Sequence, residues 1–222
     1  MIHLVLKDIV IQKKTLIFAF FYTAFVAICF NAMGPNGLAL YVVAPIITTY
    51  LFISNAVTYD EKNRSEIILN SLPIKRDYIV ISKYISIFVF VVIGIIYSII
   101  VGFICKGTGF SPFYNSISLL DFVLVLVSVS IFGSIFFPLY FKFGALKMKL
   151  FNLLLCMLLI LIPLTSINYS IKYPNNILVK NVNYFINNTS SLPQNFLVLI
   201  ICLIILLISL MISIRVYKNK EF

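Results

Sequence analysis

The stretch FLVLIICLIILLISLMISI, Phe196–Ile214, decides what kind of protein this is. It contains no charged residue, no Gly and no Pro, and its apolar residues do not alternate with polar ones. A helix rises about 1.5 Å per residue, so a run of this length matches the roughly 30 Å hydrocarbon layer of a bilayer. Strands of a membrane barrel would alternate over about ten residues. A helix instead satisfies its own backbone hydrogen bonds in lipid, so this segment reads as a transmembrane helix.

Working outward, five more runs have the same character: Thr15–Ala32, Leu38–Val57, Tyr84–Cys105, Phe122–Phe141 and Leu150–Ile167. Hydrophobic residues make up 62% of the 222 and charged ones 11%, against about 25% charged in an ordinary soluble domain. Too little polar sequence remains to cover six buried helices, which excludes a large soluble core. No small-residue cleavage site follows the first run and a second span comes at once, so it is expected to be retained rather than cleaved as a signal. The expected fold is a single all-α membrane domain over residues 1–222 with six transmembrane helices.

Lys and Arg set the orientation. Fourteen of the 17 fall in the N-terminal tail, the connections after the second and fourth spans, and the C-terminal tail. Only Lys106, Lys172 and Lys180 lie on the other side. Positive charge stays inside, so both termini are expected to be cytoplasmic, as six spans require. The +10 net charge is then a matter of topology, and nucleic acid is not expected as a partner.

The spans carry little chemistry. Their middles lack Asp, Glu, Lys, Arg and His, the groups that ion-coupled carriers keep in the membrane despite the cost. Thr48, Thr49 and Asn55, with Ser128, Ser130 and Ser134, read as helix-packing residues. Pro45, Pro138 and Pro163 are expected to kink their helices. Cys29, Cys105, Cys156 and Cys202 form no C-x-x-C pair and have one His, His3, to join them, so no metal site is expected. There is no H-E-x-x-H and no G-x-x-x-x-G-K-[ST], so no enzymatic activity is expected; driven work would draw on another subunit.

Two segments outside the spans are more informative. In MIHLVLKDIVIQKK, residues 1–14, helical winding gathers Ile2, Val5, Leu6, Ile9 and Val10 on one face, with Asp8 and Gln12 opposite. This reads as a helix lying in the inner interface. The connection Thr58–Lys83 is long for a link between helices, and its interleaved apolar residues argue against disorder. Ser65–Leu72 reads as a short helix ended by Pro73, and Asp77 as the start of a helix entering the third span. Ile67, Ile68 and Leu69 offer apolar contact, with Glu66, Lys75 and Arg76 as a charged rim, the profile of a docking element. A helix that merely connects two spans is the other reading of the same residues.

This connection resembles the segment between the second and third spans of ABC-2 type transporter permeases. It is most similar to their short six-span branch, which includes bacterial peptide-toxin export and bacteriocin-immunity permeases. The matching residues are Glu61-Lys62-Asn63, Ser65-Glu66, Ile67-Ile68-Leu69, Ser71-Leu72-Pro73-Ile74, Arg76 and Lys83. Many members have Gly before the Ser/Thr, where this chain has Arg64. The resemblance implies a coupling helix over this loop that seats in a separate ABC ATP-binding subunit, with ATP and Mg held there and no cofactor on this chain. Glu61, Ser65, Glu66, Ile67, Leu69, Ser71, Leu72, Pro73 and Arg76 would form that interface. Lys142, Lys147 and Lys149 offer a second contact by position, or an anchor to anionic lipid. The resemblance further implies a second permease chain, as homodimer or heterodimer, in a bacterial plasma membrane. The outer connection Asn168–Asn195 would dip back into the outer interface.

The function so implied is ATP-driven export, and the charge-poor spans suit an amphipathic or hydrophobic cargo such as a peptide, toxin or lipid-like drug. Two alternatives stay open from the residues. One is a membrane partner without transport activity, for assembly or immunity. The other is the substrate-capture subunit of a small-molecule importer.

Overall fold

The computed structural model describes residues 2–31, 39–72, 75–107, 119–145, 147–148, 150–155, 157–158 and 191–220, and their regular structure is entirely helical. The helices are α1 (Ile2–Ile11), α2 (Lys13–Asn31), α3 (Ala44–Lys62), α4 (Ser65–Ser71), α5 (Arg76–Gly107), α6 (Leu119–Phe143) and α7 (Ser191–Lys218). A single π-helical turn, Ala39–Val43, leads into α3. Residues 150–155 and 157–158 are also helical; the rest of the expected Leu150–Ile167 span and the Asn168–Ser190 part of the outer connection, with Pro163, lie outside the described residues.

Among the described residues four helices are long and apolar enough to cross a membrane: Leu40–Lys62, Arg76–Gly107, Asp121–Phe143 and Phe196–Lys218. The pair Ile2–Ile11 and Lys13–Val26, bent by 66°, makes a fifth if taken as one span. The helices outrun the apolar stretches that announced them. α3 continues past Val57 to Lys62, and α5 begins at Arg76, within a residue of the start read from Asp77 and well before the apolar run that opens at Tyr84. Hydropathy marks the thickness of the lipid, whereas a helix ends where its backbone bonding ends; 32 residues of α5 span about 48 Å against a core of roughly 30 Å.

α5 is the central helix and touches α1, α2, α3, α6 and α7; α6 packs along α7. Close approach of α3 to α5 depends on Gly94, where an added Cβ would lie 2.8 Å from Thr48 Oγ1 and 3.2 Å from the Pro45 carbonyl. Thr48 and Thr49 turn their hydroxyls onto the Ala44 and Pro45 carbonyls, so neither is left unsatisfied beside the glycine. Pro45 does not kink α3. It stands in the first turn, where its missing N–H and fixed φ favour helix initiation; Pro138 does lie inside α6. Along α6 an aromatic ladder runs Phe132, Phe136, Tyr140, with neighbouring rings stacked at 5.1 and 6.1 Å. Phe141 meets Tyr217 of α7 edge-on at 5.2 Å.

The N-terminal helix sits against the bundle in a way its sequence pattern did not announce. Ile2, Leu6 and Val10 are exposed, whereas Asp8 and Gln12 are buried. Ile2, Leu6 and Val10 thus face outward, while Val5 and Ile9 of the same apolar stripe pack inward beside the docked polar face. Lys83 of α5 donates to both Asp8 oxygens at 2.8 and 2.9 Å and to Asp60 of α3. Lys7 closes the other side of Asp60 at 2.7 Å, and the Ser86 hydroxyl donates to Asp8 at 3.2 Å. Asp8 and Asp60 are 2% exposed and Lys83 6%, so the group is a charge-balanced set of two acids and two bases of which all but the half-buried Lys7 are taken almost wholly out of water. At the α1–α2 bend Gln12 donates to the Phe52 carbonyl at 3.0 Å.

Two predictions follow from this packing. Gly94→Ala is expected to lower the unfolding temperature in detergent, because overpacking costs about 1–3 kcal/mol and exceeds the gain in helix propensity of about 1 kcal/mol. Gly107→Ala, which meets nothing within 4 Å, should be harmless; equal behaviour of the two variants would refute the close approach. Lys83→Met leaves two buried carboxylates facing Lys7 alone and is expected to cost about 3–5 kcal/mol. Adding Asp8→Asn to Lys83→Met restores charge balance and should recover part of that loss, a sign that a double-mutant cycle on thermal unfolding reads directly.

Candidate functional site

Beyond the buried charges the chain turns sharply and forms α4. Asn63 and Arg64 close the end of α3 through N–H bonds to the Tyr59 and Glu61 carbonyls at 3.0 and 3.1 Å. Arg64 then takes φ 48° and ψ 35°, the left-handed region that favours glycine. The turn is therefore one that Gly would make, although Arg stands where many ABC-2 permeases have Gly. The left-handed residue reverses the chain in one step and starts α4 without a side-chain cap. At the other end Leu72 is extended (φ −81°, ψ 153°), as expected of a residue that precedes proline. α5 then begins with Arg76 and has Asp77 in its first turn, where a carboxylate favours the helix dipole.

Of the residues expected at the interface, Ile67 and Leu72 stand outward at 57% and 46% exposed, and Ile68 joins them at 59%. Leu69 turns inward and packs on the main core, making it the anchor of α4. Ser71 is exposed and donates to the Ile68 carbonyl at 2.7 Å, closing the last turn; Ser65 is half-buried at the first. Of Glu66 the backbone is described within α4; Pro73 and Lys149 lie outside the described residues.

Glu61 is half-buried on the last turn of α3, against the loop that follows α6. That loop turns at Gly144, φ 83°, where a Cβ would come within 3.2 Å of Glu61 Oε1. Beyond it Asn152 donates to Ser54 of α3 at 2.6 Å. The α6 loop, with exposed Lys142 and Lys147, is thus packed on the stem that carries α4. The Lys142 ammonium lies 5.2 Å from the Phe143 ring centre.

The end of α7 belongs to the same surface, which the sequence did not signal. Arg76 donates to the Lys218 and Lys220 carbonyls at 3.0 and 3.4 Å, filling acceptors left open where the helix stops. Asp77 pairs with Lys218 at 2.9 Å, and Asn70 of α4 donates to the Tyr217 hydroxyl at 3.1 Å. The arrangement can present a short, stiffly held helix with an apolar outer face. Among the described residues there is no group of His, Cys, Asp and Glu placed to hold a metal ion.

A family model described as ABC-2 family transporter protein matches residues 3–218, nearly the whole chain. No protein of curated function and no solved structure matches it. With its apolar helices and this match across almost its full length, the chain belongs to the ABC-2 transporter family, integral membrane transport components that work with an ABC ATP-binding subunit.

Proposed function

We propose that the chain is the permease subunit of an ATP-driven exporter and that α4 is the helix its ATP-binding subunit grips. The observation that carries this reading is the outward apolar face of α4, Ile67, Ile68 and Leu72. It stands on a stem fixed by the buried Asp8–Lys83–Asp60 charges, in a chain of the ABC-2 family. An exposed apolar cluster inside a polar rim suits a protein partner. ATP and Mg would be bound by that partner. In the working assembly two permease chains, each with both termini in the cytoplasm, would rock their helices as the ATP-binding subunits close. The absence of ionisable groups from the span interiors suits an amphipathic or hydrophobic cargo such as a peptide or lipid-like toxin.

The test uses proteoliposomes containing the chain and its ATP-binding subunit. Ile67→Ser with Ile68→Ser is expected to weaken association by at least about tenfold, the scale of an interface hot spot, with little change in unfolding temperature because both side chains are exposed. ATP hydrolysis should rise with amphipathic peptides. Stimulation by small hydrophilic solutes alone would refute the cargo assignment, and unchanged association of the double variant would refute the role of α4.

A further inference from the structure

The charges around α4 say something about the surface that receives it. The chain has seven Asp and Glu residues. The five whose side chains are described, Asp8, Asp60, Glu61, Asp77 and Asp121, are all buried or half-buried. Lys62, Arg64 and Lys75, which bracket α4 at its two ends, are exposed and make no ion pair with a described residue. Arg215 and Lys218 on the adjoining end of α7 are exposed as well. Asp8, Asp60 and Asp77 hold α1, α3, α5 and α7 together, and among the described side chains the exposed charges around α4 are all basic.

Two kinds of negative surface could answer it, lipid headgroups or a protein. Height favours the protein. Arg76 lies seven residues up α5 from Lys83, about 10 Å along the helix. The buried ionic group is itself too polar for hydrocarbon and belongs at or beyond its edge. Lys75 and Arg76 therefore stand about another 10 Å toward water, past the reach of most headgroups, while Lys62 and Arg64 follow Asp60 closely at the base of α4. Ile67 and Ile68, exposed on α4 between these cations, suit a partner with an apolar notch.

Resting on the reading of α4 as the docking helix, we propose that the ATP-binding subunit receives it in an apolar notch bordered by carboxylates facing Lys62, Arg64 and Lys75. The apolar contact supplies most of the affinity; the charges steer and orient the encounter, an effect that salt screens.

The probe is the ABC ATP-binding subunit that purifies with the chain from its own membranes, identified by its nucleotide-binding sequence and then prepared alone. Its affinity is measured for the full chain in phosphatidylcholine nanodiscs, with and without phosphatidylglycerol. Affinity is expected to fall at least about tenfold between roughly 50 and 500 mM KCl. Lys62→Glu, Arg64→Glu and Lys75→Glu together should remove that dependence and weaken low-salt binding by at least tenfold, with the three Gln replacements intermediate. Ile67→Ser with Ile68→Ser should weaken binding at every salt concentration and leave the salt slope intact. Salt-independent binding lost only in the isoleucine variant would overturn the acidic notch and leave the docking helix standing. A charge effect seen only with phosphatidylglycerol would assign the cations to lipid and overturn it too. If neither set of variants alters binding, or no such subunit purifies with the chain, the docking reading itself fails.

Discussion

Everything on the α4 side of this protein hangs on one lysine. Lys83 lies between Asp8 and Asp60, and neither carboxylate could be 2% exposed without it. Burying one ion is costly, and a buried pair recovers the cost only when geometry and hydrogen bonding are nearly complete. Here they are: Lys83 has three contacts to carboxylate oxygens, and Lys7 and Ser86 take up oxygens of Asp60 and Asp8. The set joins α1, α3 and α5, whose members are 75 and 23 residues from Lys83 in sequence. A hydrophobic contact would hold these helices as firmly, but it would let them slide. Four charges that must meet allow one register, which fixes where α3 ends, where α5 begins, and hence the position of α4 between them.

How much of this was legible in the sequence depends on the range of the interaction concerned. The apolar runs revealed the helices, because lipid acts on each residue separately and leaves its mark in composition. Pro73 and the charges around it revealed a short helix between the second and third runs, since turn chemistry is local. The end of α3 was not legible, because nothing in hydropathy says how far a helix continues into water, whereas Asp77 after Pro73 marked the start of α5 to within a residue. Lys83 was read as a positive charge on the inner side that closes the loop motif, and Asp8 as lying opposite the apolar stripe. Their pairing is tertiary, with no fixed spacing to betray it. One clue was present: Asp8 and Gln12 share the face opposite an apolar stripe, and if the stripe faces lipid, that polar face can be covered by protein. The end of α7 as a backing for α4 carried no local signal at all.

The magnitudes of these attachments differ, and the difference bears on how movement of α4 would spread. Asp77–Lys218 is half-exposed, and such pairs are worth about 0–1 kcal/mol. The Asn70–Tyr217 and Arg76–carbonyl bonds are of the ordinary sort, each contributing about 1 kcal/mol net, somewhat more where charged. Breaking the Lys83 group would cost several times as much. A force applied to α4 therefore meets a weak joint toward α7 and a strong one toward α1, α3 and α5. Under such a force the stem would move as one piece, with α1 carried along, and the α4–α7 contacts would yield first.

Tyr217 sits at that weaker joint and gives it a direction. Its hydroxyl receives Asn70 of α4 while its ring is buried against Phe141 of α6. Further along the same pair of helices, Tyr84 of α5 binds Ser209 and Ser213 of α7 at 2.8 Å each, and Ser209 reaches the Ser134 carbonyl of α6 at 2.7 Å. Both α7 attachments thus end on α6, one through rings and one through hydroxyls. Rings can slip past one another at small cost, whereas buried hydroxyls cannot part without leaving a polar group unpaired, at about 1–3 kcal/mol each. Tilting of the α3–α5 stem would then pivot α6 and α7 about the Tyr84–Ser209 contact, with the slack taken up at the Phe141–Tyr217 end nearest α4. That would place the give in this fold beside α4 and the fixed point deeper in the bundle, as a lever requires.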